Sequence, residues 1–218
     1  MSQAPPLSDL KAVFADFLVD ENALRPPLGL PTGLQALDER LLWKGLPKGE
    51  LSLLLGQPGG GLTSLWLKAA ESLTQSGRWA AWMNSDWALY PSQQKIRWDR
   101  LMVMEQPSSP DLFFWILQEM ITSSLFDLIG CHLTDFSLKR HQLVKIKALA
   151  RAYQVAMVFI SSKPVPQHPL YALILEGQQE NLIIRRALHR QKDQLITGAL
   201  HDARFLPALF QRSRLQLG

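Results

Sequence analysis

The residues best suited to chemistry lie in one stretch, Gly56-Gln57-Pro58-Gly59-Gly60-Gly61-Leu62-Thr63. Glycines remove side chains and let backbone N–H groups close around an anion. A helix opening just after such a turn adds the partial positive charge of its N-terminus. The spacing fits the phosphate-binding pattern G-x-x-x-x-G-K-[ST], in which the Lys reaches the β/γ-phosphates and the hydroxyl meets Mg²⁺. Here Leu62 replaces the Lys, while Thr63 keeps the hydroxyl. An aliphatic chain cannot neutralise phosphate, and losing one charge-assisted hydrogen bond costs ~1.5–3 kcal/mol, roughly 10- to 100-fold in affinity. The loop therefore reads as a retained fold feature. It calls for no resident cofactor, and its backbone donors leave room only for weak ATP or phosphate binding.

Patterning shows which elements must hold this loop. The apolar run Leu51 to Leu55 reads as a strand before it, and residues 63–76 read as a helix after it. Further strands are expected at 79–84, 101–104, 126–133 and 155–160, and helices at 92–98, 110–122 and 138–153. Strands alternating with helical stretches predict βαβ units, so the fold class is α/β with a mostly parallel central sheet and helices on both faces. Two closely spaced strands, 171–176 and 181–188, read as a C-terminal hairpin around Gly177. At the other end, Ser8 caps an expected separate helix to about Asp20, with Leu10, Val13, Phe14, Phe17 and Leu18 on one stripe. That stripe either packs on its own core or docks on a neighbouring subunit. The expected organisation is a helix and linker over 1–29, a core over 30–190, and a basic tail over 191–218.

Composition narrows the class. The chain has 218 residues and 47% hydrophobic content, enough for one substantial core. A formal charge of +4 is compatible with nucleic acid or an acidic protein surface and diagnostic of neither. With a single cysteine, Cys131, no signal-peptide pattern and no apolar run near membrane-spanning length, a cytoplasmic protein is expected. His132, His141, His168, His189 and His201 show no metal-binding spacing with Cys131, and no metal site is expected. The seven tryptophans, among them Trp79, Trp82 and Trp87, fall mostly in strand or helix patterns and read as core.

The flanks of the loop carry a resemblance. Leu30-Pro-Thr-Gly, Leu37-Asp38 and Gly45-Leu-Pro-Lys-Gly49 resemble the approach to the phosphate loop in RecA-type recombinases. Asp86-Trp-Ala-Leu-Tyr-Pro91 is similar to the Glu-x-Ala-Leu-x-Pro of RecA, and Leu101 to Pro107 looks like its next strand. The similarity runs from about residue 30 to 163 and implies a RecA-like, P-loop NTPase-type core. Length, the missing Lys, a short segment after the last central strand and an Arg-rich second hairpin strand resemble the ImuA family of SOS mutagenesis proteins. SulA-type cell-division inhibitors are a second resemblance, ranked lower because they are shorter and lack the long N-terminal approach.

The RecA resemblance assigns four polar positions, and all four differ here. Leu62 stands for the phosphate Lys. Asp86 stands for the Glu that orients the attacking water, one methylene shorter, and a misplacement of ~1 Å can cost ~100-fold. His132 stands at the Mg²⁺-binding acid, although Mg²⁺ prefers oxygen ligands. Ser162 stands for the Gln that senses the γ-phosphate. Together these changes imply that hydrolysis is absent.

Two basic clusters complete the reading. One helix carries Lys139, Arg140, Lys145, Lys147 and Arg151, and residues 136–175 hold no Asp or Glu. The second cluster is Arg185, Arg186, Arg190 and Lys192, continuing to Arg204, Arg212 and Arg214. Both read either as solvated faces or as surfaces for an acidic partner or nucleic-acid backbone. The segment after 160 is short and carries three prolines, unlike an adaptable DNA-binding loop. Phe205, Leu206, Leu209 and Phe210 in the tail read as a docking segment. Resemblance to ImuA implies a non-catalytic adaptor with RecA, an ImuB-type pseudo-polymerase and a DnaE-type polymerase as partners, weak DNA binding and no membrane. The competing readings are a residual ATP-binding recombination mediator and a SulA-type inhibitor.

Overall fold

In chain order the strands are β1 (Gly29–Leu30), β2 (Leu46–Pro47), β3 (Leu51–Leu55), β4 (Trp79–Asn84), β5 (Leu101–Glu105), β6 (Phe126–His132), β7 (Ala156–Ser161), β8 (Tyr171–Gln178), β9 (Asn181–Ala187) and β10 (Arg190–Ile196). The helices are α1 (Gln35–Asp38), α2 (Leu62–Gln75), α3 (Pro110–Thr122) and α4 (Arg140–Tyr153). The structure is a computed structural model describing residues 29–58, 60–84, 95–133, 138–163, 169–178, 181–187 and 190–197. The N-terminal stripe, Gly59, Asp86 and the tail segment with Phe205 and Phe210 lie outside the described residues.

Among the described residues eight strands form one sheet in the order β10-β9-β8-β3-β7-β6-β4-β5. The pairings from β8 through β3, β7, β6 and β4 to β5 are all parallel. β9 and β10 add to β8 as antiparallel strands. The run Leu-Ser-Leu-Leu-Leu of β3 and the run Ala-Met-Val-Phe-Ile-Ser of β7 lack alternation because both faces of these central strands are covered.

The core divides into two clusters, one on each face. Leu65, Trp66, Ala69, Ala70 and Leu73 of α2 pack with Leu54, Trp82, Leu128 and Val158. On the other face, Phe113, Leu117 and Ile121 of α3 join Leu143, Ile146 and Ala150 of α4 against Leu53, Ile129 and Phe159. Helices on both faces follow directly from these apolar stripes. α3 starts where Ser109 Oγ accepts from Leu112 N–H (3.4 Å) and Pro110 takes the first turn.

The approach motif has a local structural use. Asp38 accepts from the Thr32 backbone N–H (3.0 and 3.1 Å) and from its hydroxyl (2.7 Å). This brace sets Leu34, Leu37 and Leu41 into the α2-side core.

Two expectations are corrected. Residues 95–97 are not helical, and only a 3₁₀ turn, Trp98–Arg100, occupies the end of the helix expected at 92–98. The backbone bonds of this segment go elsewhere. Lys95 N–H donates to Glu71 Oε1 (3.2 Å), Arg97 N–H to Thr74 Oγ1 (3.3 Å), and Lys95 O accepts from Gln75 Nε2 (3.1 Å). The second correction is β10, which pairs with β9 and carries the sheet past the boundary placed at residue 190. Its polar sequence suits an edge strand, where charge is tolerated and alternation is weak.

Candidate functional site

The glycine loop leaves the carboxyl end of β3, between β7 and β8, where ligands of parallel α/β sheets usually sit. Gly56 N–H donates to Ser161 O (3.0 Å), tying the loop to β7. Gly60 N–H closes a turn on Gln57 O (2.9 Å). Gly61 stands at φ 86°, a left-handed conformation that favours glycine, and its carbonyl accepts the Leu65 N–H (2.9 Å) to open α2. Strand, turn and helix thus follow the expected phosphate-loop order.

Leu62 does not reach over the loop. Its side chain is 4% exposed, and a Cβ added to Gly56 would stand 2.9 Å from Leu62 Cδ1. The leucine folds back on the first residue of the loop and joins Leu54 and Leu175 in the core. Across the same gap Gly177 O of β8 would stand 3.1 Å from that Cβ, so β8 walls the loop on its other side.

The next residue makes the second closing contact. Thr63 Oγ1 lies 3.4 Å from His132 Nε2, at the end of β6. Burial pushes the His132 pKa down, which keeps the ring neutral near pH 7. Trp82 meets the His132 ring edge-on at 5.3 Å and contacts Trp66 at 4.7 Å. Gly130, two residues before His132, permits this stack, because a Cβ there would lie 2.3 Å from Trp66 Nε1 and 2.7 Å from Trp82 Cε3.

At the end of β7, Ser162 is exposed, and Ser161 is the residue with internal bonds. Ser161 Oγ donates to Lys163 O (2.9 Å) and accepts from Lys163 N–H (3.2 Å). Sequence reading also missed Glu176, which pairs in register with Leu55 just before the loop. Arg185 bonds it through Nε (2.7 Å), and that bond holds the Glu176 carboxyl below its usual range. A polar pair facing across β8 and β9 was the available signal, hidden by uncertainty in hairpin register.

The structure divides the cations expected to share surfaces. Lys139 and Arg140 are exposed at the start of α4. Lys147 is turned inward instead. Its Nζ lies 2.8 Å from Glu50 Oε2 and donates to Leu170 O (3.3 Å). Arg151 also approaches Glu50, at 3.8 Å. Glu50 precedes β3, so these two cations serve the sheet's amino end, opposite the loop. Lys147 thus departs from the solvated face expected of α4, while Arg151 stays exposed. Arg185 is paired with Glu176, Arg186 sits opposite Ile174 on β8, and Arg190 and Lys192 belong to β10.

Trp43, Trp66 and Trp82 are buried as expected, whereas Trp98 and Trp115 are exposed. Among the described residues no group of three or more metal-ligating side chains forms. No described helix is long and apolar enough to cross a membrane.

No protein-family model matches the chain. RecA of Tropheryma whipplei is 36% identical over 103 residues, which covers 46% of this chain and 23% of that protein. RecA of Thermotoga maritima is 31% identical over 114 residues, 51% of this chain and 32% of that protein. A plasmid RecA of Lactococcus lactis is 29% identical over 103 residues, 46% of this chain and 30% of that protein. The chain therefore spans about a quarter to a third of the curated relatives it matches. The crystal structure of the RadB recombinase superposes with a TM-score of 0.59 at 18% identity, covering 76% of this chain and 93% of that one. The chain has RecA-like homology at low identity, and its fold is the mostly parallel α/β fold of RadB.

Proposed function

We propose that this chain is a RecA-like protein that does not hydrolyse ATP and works as an adaptor in DNA-damage-induced translesion synthesis. Its partners under this reading are RecA, an ImuB-type pseudo-polymerase and a DnaE-type polymerase, in the cytoplasm. One observation carries the non-catalytic part: Leu62 is packed against Gly56 while Thr63 is engaged with His132. Phosphoryl transfer depends on positive charge and a metal placed on the transferring group. At this loop the lysine position is an apolar contact, and the metal-binding hydroxyl faces a neutral imidazole. The adaptor part rests on the RecA-like homology joined to the ImuA resemblance of the loop and hairpin.

Two measurements test it. Calorimetric titration of the purified chain with Mg-ATP, with phosphate release followed in parallel, is expected to show weak or no binding and no turnover. Turnover sensitive to Leu62 substitution would overturn the non-catalytic reading. Capture of the tagged chain from DNA-damaged cells of its own source is expected to recover RecA and an error-prone polymerase. Recovery of the cell-division ring protein without a polymerase would reject the adaptor assignment.

A further inference from the structure

α3 and α4 lie on one face of the sheet and share a core there. α3 joins β5 to β6 and α4 joins β6 to β7, strands that all run parallel, so both helices return in the same direction. Lys145 Nζ of α4 stands 5.8 Å from the Phe114 ring centroid of α3 and marks the seam between them. Their outward faces carry opposite charge. On α3, Asp111, Leu112, Trp115 and Glu119 are exposed, and the helix holds no Lys or Arg. On α4, Arg140, Val144, Lys145, Ala148 and Arg151 are exposed, and the helix holds no Asp or Glu. Leu112, Trp115 and Val144 are 46%, 56% and 47% exposed, a large apolar group at the middle of each stripe. None of the ion pairs among the described residues uses Asp111, Glu119 or Arg140.

The two stripes match in spacing. Asp111, Trp115 and Glu119 stand at i, i+4 and i+8, and so do Arg140, Val144 and Ala148, with Arg151 three residues further on. Residues four apart share a helix face and rise by about 6 Å. A helix like α3 laid along α4 in the same direction therefore sets Asp111 against Arg140, Trp115 against Val144 and Ala148, and Glu119 against Arg151. The small Ala148 leaves room for the indole. Within one chain the two stripes face outward side by side, so these pairings require a second molecule. Charge selects which. A partner of one sign is attracted by one helix and repelled by the other. The N-terminal stripe is of this kind, because Asp9, Asp16, Asp20 and Glu21 outnumber Lys11 around it. A second copy of the same face carries both signs at the matching spacing.

We propose that the α3–α4 face binds the same face of a second copy of this chain, forming a closed two-fold dimer. A two-fold axis parallel to the helices lays α3 of each copy over α4 of the other, so every pairing occurs twice and no binding face stays open. Trp115 is the anchor, since a tryptophan desolvated at the centre of a contact carries much of its affinity. The ion pairs around it set register and association rate more than affinity. The helices have 13 and 14 residues, about 20 Å in length, which places the contact near the lower size limit of specific interfaces and its affinity in the micromolar range. The strand edges at β5 and β10 take no part. The proposal is independent of whether the loop binds nucleotide and of the adaptor role.

Sedimentation velocity on the full chain between about 1 and 100 μM, the range where micromolar contacts saturate, is expected to show monomer converting to dimer and to nothing larger. Trp115→Ser, at an exposed position, is expected to weaken the dimer at least ~10-fold with unchanged circular dichroism. Asp111→Arg and Arg140→Glu each bring like charges together and are expected to sediment as monomers. The double variant Asp111→Arg/Arg140→Glu exchanges the two charges across the axis and is expected to dimerise again. A wild-type chain that stays monomeric across this range overturns the proposal. So does mass that grows past a dimer, which would mean an open contact, or a dimer untouched by Trp115→Ser, which would place the contact elsewhere. A double variant that associates no better than the two single ones overturns it equally.

Discussion

Thr63 Oγ1 and His132 Nε2 stand 3.4 Å apart across the space between the first turn of α2 and the end of β6. The hydroxyl at the metal-binding position of a phosphate loop is thus held by a ring that burial keeps neutral. Protonating that ring places a charge among Trp82, Trp66 and the loop.

A pH dependence follows. The folded-state pKa of His132 lies below the ordinary value of 6.5, so the unfolded chain binds the proton more readily. The His132 contribution is complete above about 6.5, falls as pH drops below that value, and stops falling once the folded ring is itself protonated. Urea melts of wild type and His132→Gln between pH 7.5 and pH 5 are expected to show a shallower loss of stability in the variant. Parallel losses would assign the pH dependence to other groups.

Leu62→Lys alone is expected to weaken the protein by ~2–4 kcal/mol, because it replaces a buried leucine with a group that must leave the core or lose its hydration. It is not expected to confer turnover, because under the proposed reading His132 still stands where a Mg²⁺-binding acid is needed. Combining Leu62→Lys with His132→Asp is expected to raise Mg-ATP affinity at least ~10-fold over either single variant, as two charge-assisted contacts return together. Calorimetry that shows no gain in the double variant would contradict joint disablement of the site by these two residues.

Gly130→Ala is expected to be severely destabilising. Its Cβ would enter the indole of Trp66 at 2.3 Å, and Trp66 is wedged between α2 and the sheet. Overpacking of this kind costs ~1–3 kcal/mol or more. A drop in thermal midpoint with altered tryptophan fluorescence checks it, and a midpoint equal to wild type would show that the stack yields easily.

Asp127, at the start of β6, bonds Lys48 (2.9 Å) and Arg78 at the amino end of the sheet. Burial acts to raise its pKa, but the bonds from Arg78 and Lys48 outweigh it and hold the carboxyl below its usual range. The stabilisation is therefore present above about pH 4 and is lost as pH falls through the depressed value. Asp127→Ala is expected to cost ~1.5–3 kcal/mol at pH 7, measured by denaturant unfolding, and progressively less toward pH 3. An equal cost at both pH values would assign the effect to packing.

The parallel sheet was legible in the sequence because its strands are short, continuous apolar runs separated by helical stripes. β4 and α3 lie over 79–84 and 110–122, as read. α3 was well defined because Ser109 and Pro110 act locally, and the loop was recognisable because glycine spacing is itself a local geometric requirement. Residues 95–97 depart from the helix expected there because their backbone partners, Glu71 and Thr74, belong to another element. β10 escaped notice because an edge strand has little need of an apolar alternation.

The sequence by itself determined the α/β order, the position of the glycine loop and the absence of its lysine. Tertiary structure alone decided what took that lysine's place. Leu62 turns back onto Gly56, and Thr63 meets a histidine 69 residues away. It also decided which cations remain on the surface: Lys147 and Arg185 are drawn to Glu50 and Glu176, while Lys139 and Arg140 are exposed. The physical reason is the same in each case. Spacing along the chain specifies local conformation, but a side chain's partner depends on sheet order and register, which come from packing between distant segments.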